Sequence, residues 1–417
     1  MSDVAAYEKM KDSGIEWIGN IPSHWRVHTL YQLVTQVKEK NSELLEKNLL
    51  SLSYGKIKRK DIDSPDGLLP ASFDGYNIIE AGDIVLRLTD LQNDHTSLRV
   101  GLATERGIIT AAYTTLRPND TNNSKYLYYL IHAFDLKKGF YGMGSGVRQG
   151  LNYAEAKELR VVIPDQDEQD TIVRFLDEQC TQIDAIIEEV KYSVAEYKKW
   201  RASIIFEAVT KGLNSSVEMK DSHIDWIGLV PSHWKLSRIK NELDNLDYLR
   251  EPISAEKREN ILGLYDYYGA SGAIDKIDDY NVDDKVLLIG EDGANLRMRN
   301  LPLVYRAEGK FWVNNHAHIL KVHDENCYGF VAYLLEAGDY NVFITGSAQP
   351  KLSQFNLMRF PIAMPPLAEQ QEIEEYLDIK CSAIDALIRE KEALLSELEI
   401  YKRSLIFEIV TGKRKVV

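Results

Sequence analysis

Apolar side chains recur at alternating steps of four and three along residues 167–212, and the pattern returns 201 residues later. The spacing is that of a heptad seam, which predicts a long helix packed along a partner helix. The seam of the first run includes Leu176, Ile183, Ile187, Val190 and Val194. The seam of the second run includes Leu377, Ile384, Ile388, Leu395 and Leu398. Two equivalent helices are therefore predicted.

The ends of both runs agree with this prediction. Each run opens with acidic residues, which are favourable at the positive end of a helix dipole. Each run ends close to a glycine, Gly212 or Gly412, which is suited to a left-handed helix cap. At 1.5 Å per residue the first helix would be roughly 65 Å long.

A two-fold relation between the copies would make the helices antiparallel. Val190 would then lie near Lys391, and Arg201 would lie near Glu374 and Asp378 at the start of the second helix. A disulfide between the seam residues at 180 and 381 would contradict this arrangement, because the two cysteines would be far apart. The alternative is a pair of independent helices, each packed only on its own domain.

The whole chain is a tandem duplication. Residues 12–25 read DSGIEWIGNIPSHW, and residues 221–234 read DSHIDWIGLVPSHW. A repeat of this length indicates the order segment, helix, segment, helix. The predicted boundaries are 1–164, 165–212, 213–364 and 365–417.

The repeated PSHW turn carries one histidine and one tryptophan in each copy. We interpret the tryptophans that flank the Pro turn, Trp17 and Trp25 with Trp226 and Trp234, as an aromatic plug that closes each domain, with a partner-binding patch as the alternative. His24 and His233 are interpreted as hydrogen-bonded turn residues rather than catalytic ones.

The segments between the helices predict a mixed fold. Short β-branched and aromatic runs alternate with turn signals, as in YNIIEAGDIVLRL and GIITAAYTTLRP. Helices are predicted near residues 126–134 and 328–337. We therefore expect an α/β (α+β) protein with two pseudo-symmetric domains joined by two long antiparallel coiled-coil helices. The interiors of the two segments otherwise match poorly in sequence, which suggests one scaffold with two specificities.

Charge and composition limit the classes of protein to which this chain could belong. The chain of 417 residues has a formal net charge of −14, yet residues 1–164 carry equal numbers of acidic and basic side chains. Nucleic-acid binding would thus need local basic faces. No apolar run reaches the roughly 18 residues that cross a bilayer, and no secretory pattern opens the chain. We expect a cytoplasmic protein without membrane contact. Three scattered cysteines predict neither a disulfide framework nor a metal cage.

Catalytic motifs give little support for an enzyme. Neither a phosphate-binding G-x-x-x-x-G-K-[ST] loop nor a dinucleotide-binding G-x-G-x-x-G turn occurs in the expected context. Asp165, Glu189 and Lys191 nominally fit the PD…ExK pattern of metal-dependent nucleases, which remains an alternative reading. Those carboxylates would lie about 36 Å apart along one helix, whereas a metal site needs them together. His316 and His318 alternate along a predicted strand and would share one face.

Recognition chemistry is better represented. Two equivalent glycine-rich stretches, GSGVRQG and TGSAQPK, offer backbone N–H groups, hydroxyls and cations to a phosphate. Arginine and asparagine side chains are the types that read guanine and adenine edges. The candidate DNA-binding residues are Arg87, Tyr113, Ser145, Arg148, Gln149, Arg297, Arg299, Asn314, Asn315, His316, Ser347, Gln349 and Lys351.

The duplicated DSGIEWIGNIPSHW motif, TGSAQPKLSQ, LLIGEDGANL and the twin helix ends IIFEAVTKG and LIFEIVTGK together resemble the specificity subunit of Type I restriction–modification systems. The resemblance spans nearly the whole chain. It implies a non-catalytic subunit with two target recognition domains, each reading one half of a bipartite, asymmetric sequence in double-stranded DNA.

The resemblance also implies the partners. The helices would fix the unread gap and dock two modification subunits, which bind S-adenosylmethionine and methylate adenine. Restriction subunits that use ATP and Mg²⁺ would complete the endonuclease, so no cofactor is expected in this chain. An orphan or decoy specificity subunit without an active partner is the alternative. Because recognition domains diverge, the resemblance supplies no fixed set of base-reading residues.

Overall fold

The computed structural model describes residues 4–63, 70, 72–91, 94, 96–119, 123–143, 150–258 and 263–416. The chain forms two compact units. Unit 1 comprises residues 1–191 and 393–417, and unit 2 comprises residues 192–392. Each unit therefore contains one domain together with one half of each long helix.

The first part of the chain contains short strands, two helices and the first long helix. Its strands are β1 (Val4–Ala5), β2 (Met10–Asp12), β3 (Asn20–Pro22), β4 (Arg26–Thr29), β5 (Val34–Gln36), β6 (Leu50–Ser53), β7 (Lys56–Arg59), β8 (Asn77–Ile79), β9 (Ile84–Leu86), β10 (Val100–Leu102), β11 (Gly107–Ile109), β12 (Thr114–Pro118) and β13 (Arg160–Ile163). Its helices are α1 (Ser124–Leu136), α2 (Tyr153–Ala156) and α3 (Gln166–Lys211).

The second part of the chain contains further strands, several of them longer, and the second long helix. Its strands are β14 (Met219–Asp221), β15 (Leu229–Pro231), β16 (Lys235–Arg238), β17 (Leu243–Asn245), β18 (Tyr265–Gly269), β19 (Gly272–Ile277), β20 (Val282–Gly290), β21 (Val304–Val313), β22 (Ala317–Val322), β23 (Pro361–Met364) and β24 (Lys415–Val416). Its helices are α4 (Ile239–Glu242), α5 (Ala255–Arg258), α6 (Asn295–Met298), α7 (Tyr328–Ala337), α8 (Gln354–Met358) and α9 (Leu367–Val410). The helices predicted near 126–134 and 328–337 are α1 and α7.

The two domains share one topology despite their unlike interiors. In unit 2 a six-stranded sheet has the order β17-β22-β20-β21-β18-β19. In unit 1 the corresponding strands form the sheet β5-β12-β9-β10 and the pairs β8-β11 and β6-β7. A parallel bridge between Leu49 and Ile108 sets β6 beside β11, just as β18 runs parallel to β21. The strands β20 and β21 are thus each represented by two shorter strands in unit 1.

A buried tryptophan anchors the start of each long helix. Trp25 is fully buried and donates from Nε1 to Glu168 in the first turn of α3, over 3.0 Å. His24 contacts the same carboxylate at 2.8 Å. Trp234 and His233 make the equivalent contacts with Glu369 in α9, at 3.1 and 2.8 Å. The predictions of aromatic plugs and hydrogen-bonded turn histidines are confirmed.

Each long helix ends at its predicted glycine. Gly212 and Gly412 have φ values of +71° and +69°, in the left-handed region that favours glycine. A Cβ on Gly412 would lie 2.2 Å from Pro22 and 3.3 Å from Trp25. The last turn of α9 therefore packs against the PSHW turn of unit 1, and backbone and packing both require glycine.

The heptad seam is buried within both units. In unit 1 the first half of α3 packs against the second half of α9, joining Leu176, Ile183 and Ile187 with Leu405 and Ile409 in one core. Leu395 and Leu398 are partly buried against that core. In unit 2 a smaller cluster joins Val194 with Ile384 and Ile388, and Leu377 belongs to the domain core. The seam residue Val190 is buried as well.

The helices are antiparallel, but their register differs from the prediction. In unit 2, Lys198 pairs with Glu392 at 3.0 Å, and Arg201 lies 2.8 Å from Asp385. The contacts move towards the start of α9 as they move towards the end of α3, so the two helices run antiparallel. The predicted partners of Arg201, Glu374 and Asp378, were wrong. Those two carboxylates instead face Arg306 at 3.9 and 3.5 Å.

The three cysteines, Cys180, Cys327 and Cys381, are buried free thiols. Cys180 and Cys381 occupy the seam as small buried side chains. In the described part of the chain, no helix is sufficiently long and apolar to cross a membrane.

Candidate nucleic-acid interface

In unit 2, three polar loops meet at the end of strand β20. The backbone N–H of Glu291, directly after the strand, donates to the carbonyl of His316 over 2.8 Å. Leu352 donates from its N–H to the Glu291 carbonyl over 2.8 Å, and Gly293 donates to Pro350 over 3.0 Å. These bonds bring together the loops at 291–299, 314–316 and 345–351. The sequence had placed candidate residues on all three.

A buried ionic network fixes this meeting point. Glu291 is 7% exposed, accepts a hydrogen bond from Arg250, and pairs with the Lys351 ammonium at 2.9 Å. Burial raises the pKa of Glu291, but the hydrogen bonds from Lys351 and Arg250 outweigh it, so the net shift is downward. Glu291 is therefore a carboxylate that holds two cations, one from each neighbouring segment.

His318 extends the network into the sheet. It is fully buried, with Nδ1 2.6 Å from Asp247 Oδ2 and Nε2 2.8 Å from the Leu352 carbonyl. Both partners are hydrogen-bond acceptors. Burial raises the pKa of Asp247, while the His318 hydrogen bond lowers it and helps to make the net shift downward. The prediction that His316 and His318 share a strand face was wrong, because His316 lies in the turn before β22 and is exposed.

The exposed rim of this cluster retains several predicted residues. Asn315, Ser347 and Gln349 are exposed, as is Arg297 on α6. His316 is half exposed and contacts Asp292 at 2.7 Å. Lys351 lies in an antiparallel bridge with Thr345 that closes the intervening loop. These side chains can offer hydrogen bonds and positive charge to a ligand in front of the loops.

Two predicted residues are engaged in structural hydrogen bonds. Asn314 is 5% exposed, and its side-chain oxygen accepts the N–H of His316 over 2.8 Å. Arg299 has a left-handed backbone, with φ of +53°, and donates to the carbonyls of Glu336 and Gly338 over 2.7 and 2.9 Å. Asn314 shapes the turn, and Arg299 ties α6 to the end of α7.

Unit 1 has the same meeting point with different side chains. Leu151 donates from its N–H to the carbonyl of Leu88 over 2.9 Å, in the position of the bond from Leu352 to Glu291. The equivalence of Leu151 and Leu352 at an offset of 201 is the one that the sequence indicated. An apolar Leu88 therefore stands where unit 2 has a charged Glu291. The candidates Ser145, Arg148 and Gln149 lie outside the described residues.

Of the remaining candidates in unit 1, Arg87 directly precedes Leu88, whereas Tyr113 packs on a separate apolar cluster. Arg87 is partly exposed and lies 3.4 Å from Asp94. The pKa of Asp94 is well below its ordinary value, chiefly because the Ser97 N–H donates to the carboxylate. Tyr113 is half-buried against the apolar cluster of Leu50 and Leu52.

Sequence reasoning missed Arg99. This side chain is fully buried, donates from Nη1 to the Thr89 carbonyl over 2.8 Å, and donates from Nη2 to the Asp90 carbonyl over 3.1 Å. Its Nε donates to the Tyr141 hydroxyl over 3.0 Å. The buried Arg99 side chain thus stabilises the loop that follows Arg87 by binding its backbone carbonyls. The only sequence signal was an arginine beside the apolar strand residues of LRVGL.

The geometry gives the nuclease alternative no support. Glu189 lies inside helix α3, while Asp165 precedes its first residue and accepts the N–H of Glu168. The two acids are separated along one helix axis. Among the described residues, no group of three metal-ligating side chains is close enough to hold an ion.

Comparison with known proteins agrees with the fold. The Type I restriction modification DNA specificity domain matches residues 231–397. A protein of Haemophilus influenzae described as a type I restriction enzyme specificity subunit is 32% identical over 146 residues. That alignment covers 35% of this chain and 36% of the relative, about a third of its length.

Two further similarities span almost the whole chain. A Methanocaldococcus jannaschii protein described as a type I restriction enzyme specificity subunit is 21% identical, over 96% of each chain. A chain from a solved structure of the type I R-M system superposes with a TM-score of 0.66 at 14% identity, covering 94% of this chain and 98% of that one. The matched domain, the two described relatives and the common fold make this chain similar to type I restriction–modification specificity subunits.

Proposed function

We propose that this chain is the DNA sequence-specificity subunit of a type I restriction–modification complex, in which each unit reads one half of a bipartite, asymmetric site. The observation that carries the proposal is the equivalent loop junction in the two units. Leu151 and Leu352 make the same backbone bond, yet the residues around them differ. One scaffold with two unlike loop sets is suited to two different half-sites.

The two long helices support a role in partner docking. Exposed apolar side chains stand at equivalent positions of the two copies: Ile186 corresponds to Leu387, and Trp200 corresponds to Tyr401. Unit 1 carries Ile186 and Tyr401, and unit 2 carries Leu387 and Trp200. Each unit thus has one such surface, which fits two identical modification subunits.

In this proposal the chain itself performs no chemical step. Binding of S-adenosylmethionine and adenine methylation belong to the modification subunits. ATP and Mg²⁺ belong to the restriction subunits. The chain contributes the choice of DNA sequence and the length of the unread gap.

The proposal is tested by mapping DNA methylation. The chain is co-expressed with its cognate modification subunit in a host without DNA methylation, and methyl-adenine is located by single-molecule sequencing. The expected result is one split motif with a methyl-adenine in each half. Stable complex formation without any new methylation would favour the inactive or decoy alternative.

Domain exchange separates the two readers. Replacing residues 26–150 with those of a relative should change one half of the motif and leave the other half and the gap unaltered. A change in both halves would contradict two independent readers.

Inserting one heptad at equivalent positions of α3 and α9 adds about 10.5 Å, which should lengthen the gap by about three base pairs.

A further inference from the structure

The hairpin formed by β6 and β7 in unit 1 has two faces of opposite character. Leu50 and Leu52 are buried on one face, where they pack with the partly buried Ile57. The other face carries the cross-strand pairs Ser51 with Lys58 and Ser53 with Lys56. The hairpin is therefore amphipathic, with a polar and cationic outer face.

Its turn is tight and ends in an exposed aromatic ring. Tyr54 and Gly55 have φ values of +48° and +77°, the two left-handed residues of a type I′ turn. Tyr54 is 74% exposed at the tip. A large aromatic side chain placed this way gains nothing from the core, so its position needs an explanation other than packing.

The positive charge on the outer face is unbalanced. Lys56, Lys58 and Lys60 are exposed, and none of them has an ion-pair partner among the described residues. Arg59 alternates with these lysines, lies across from Leu50 and pairs with Glu105. Neighbouring like charges repel one another, so this face is not one that stability alone would favour.

The equivalent hairpin of unit 2, formed by β18 and β19, lacks this charge. Its Lys276 pairs with Asp266 at 2.8 Å, and its Asp275 pairs with Arg258 at 3.0 Å. The same hairpin topology can therefore carry charged side chains that are all paired with opposite charges. The free lysines of unit 1 are a property of that unit and not of the fold.

The hairpin borders the candidate interface. A Cβ on Gly55 would lie 3.0 Å from Cβ of Leu98, the residue before Arg99. Gly101 lies directly against Leu52 and Ile57, with no room for a side chain. The tip therefore packs against the segment that closes the loop between Arg87 and Arg99. A ligand in front of that loop would meet the lysine face next.

We infer that this hairpin is a phosphate-binding ribbon that grips the DNA backbone beside the half-site read by unit 1. The inference rests on the proposed function and adds an element to it. A two-stranded ribbon fits the major groove of DNA, and lysines supply the charge that binds phosphates. Lys56 and Lys58 are roughly 6.6 Å apart along their strand, about two nucleotide steps of 3.4 Å along one DNA strand.

The consequence is an asymmetric contribution to affinity. Unit 1 supplies three phosphate contacts through Lys56, Lys58 and Lys60, and the hairpin of unit 2 supplies none. Tyr54 lies at the tip, where its ring can stack on a sugar or base edge. The salt dependence of binding by the complex is then set disproportionately by unit 1.

The test measures affinity against salt concentration. The full chain, in complex with its modification subunits, is titrated with fluorescent duplex DNA that carries the methylated motif or a scrambled one. The triple variant Lys56→Gln/Lys58→Gln/Lys60→Gln should lower the slope of log K against log salt by about 2.7 for three lost contacts. Lys58→Gln alone should lower it by about 0.9, whereas the matched change Lys276→Gln should leave it unaltered.

Controls separate this inference from the proposed function. The corresponding triple change to arginine keeps the charge and should keep the slope, and unaltered melting temperatures show that the fold is intact. An unchanged slope in the glutamine triple variant, with specific binding by the wild type, would overturn the ribbon and leave the proposed function standing. A slope that falls only on scrambled DNA would also overturn it. Equal binding of motif and scrambled DNA by the wild type would instead contradict the proposed function.

Discussion

Lys402 of helix α9 donates from its ammonium to Oδ1 of Asp184 in helix α3 over 2.6 Å, although 218 residues separate them in the chain. In unit 2, Arg201 faces Asp385 at 2.8 Å. The two ion pairs are equivalent under the 201-residue repeat. Each unit thus sets the register of its helix pair with one cation and one carboxylate beside the apolar seam.

Reversing the charge of Lys402 should weaken this pairing. Both partners are partly exposed, so the ion pair contributes about 1 kcal/mol or less, and Lys402→Glu adds repulsion of similar size. Urea unfolding should show a loss of about 1–2 kcal/mol. The double variant Asp184→Lys/Lys402→Glu should regain part of it. Arg389→Glu, at an exposed position of the same helix, is the control. No recovery in the double variant would mean that Lys402 acts through its alkyl stem.

Arg99 should prove necessary for unit 1 to read DNA, although the side chain cannot touch DNA. Arg99→Met removes the donors to the carbonyls of Thr89 and Asp90 and should cost about 3 kcal/mol of stability. Binding to duplexes with one scrambled half-site measures each reader separately. Recognition by unit 1 should fall and recognition by unit 2 should persist. Arg117→Met, which removes a partly exposed cation paired with Asp83, is the comparison. Equal losses at both half-sites would show general unfolding.

His132 on α1 should make unit 1 sensitive to acid. Burial, followed by the charges of Lys402 and Arg403, lowers the pKa of His132 to about 4. The folded-state pKa lies below the unfolded value of about 6.5, so this contribution is full above pH 6.5 and is lost as the pH falls towards 4. The loss amounts to about 3 kcal/mol.

Comparison of His132→Phe with the wild type isolates that loss. Phenylalanine keeps a ring against Tyr128, which stacks on His132 with centroids 5.4 Å apart. Urea unfolding at pH 7 and pH 4.5 should show a smaller acid-induced loss in the variant. Asp135, whose pKa burial raises to about 6, titrates in the same window with the opposite sign but is common to both proteins. Parallel pH profiles would show that folding does not lower the pKa of His132.

The sequence predicted correctly those features that are determined by residues close together in the chain. The seam period, the glycines at 212 and 412 and the PSHW turns were readable because each depends on neighbouring residues. The helix register was not readable, because a seven-residue period fixes which face packs but not how far one helix slides along the other. Asp385 could therefore not be distinguished from Asp378 as the partner of Arg201.

The candidate interface shows a second limit. Residue type correctly drew attention to loops that meet at the end of β20, but it did not separate surface groups from supports. Arg299 and Asn314 have the chemistry of base readers, yet their partners are backbone groups. Arg99 went unnoticed because its acceptors are carbonyls, which leave no mark in a sequence. The shared scaffold was predicted from the repeated motifs, but which strands correspond was hidden for a similar reason, since backbone pairing tolerates unlike buried side chains.

Glu291 should couple the loops of unit 2 to its DNA half-site. Glu291→Gln keeps the shape but removes one of the two counter-charges of Arg250, the other being Asp247 at 3.3 Å, and should cost about 2 kcal/mol. The loop at 345–351 also loses the Lys351 pair. We expect at least a tenfold loss of discrimination at the half-site of unit 2, with the half-site of unit 1 unaffected. Lys351→Gln removes only the exposed partner and should have a smaller effect on stability. Glu308→Gln, an exposed acid on β21, is the matched control. If Glu291→Gln lowered stability without changing discrimination, the buried network would support the fold alone, and the reading surface would have to lie elsewhere on unit 2.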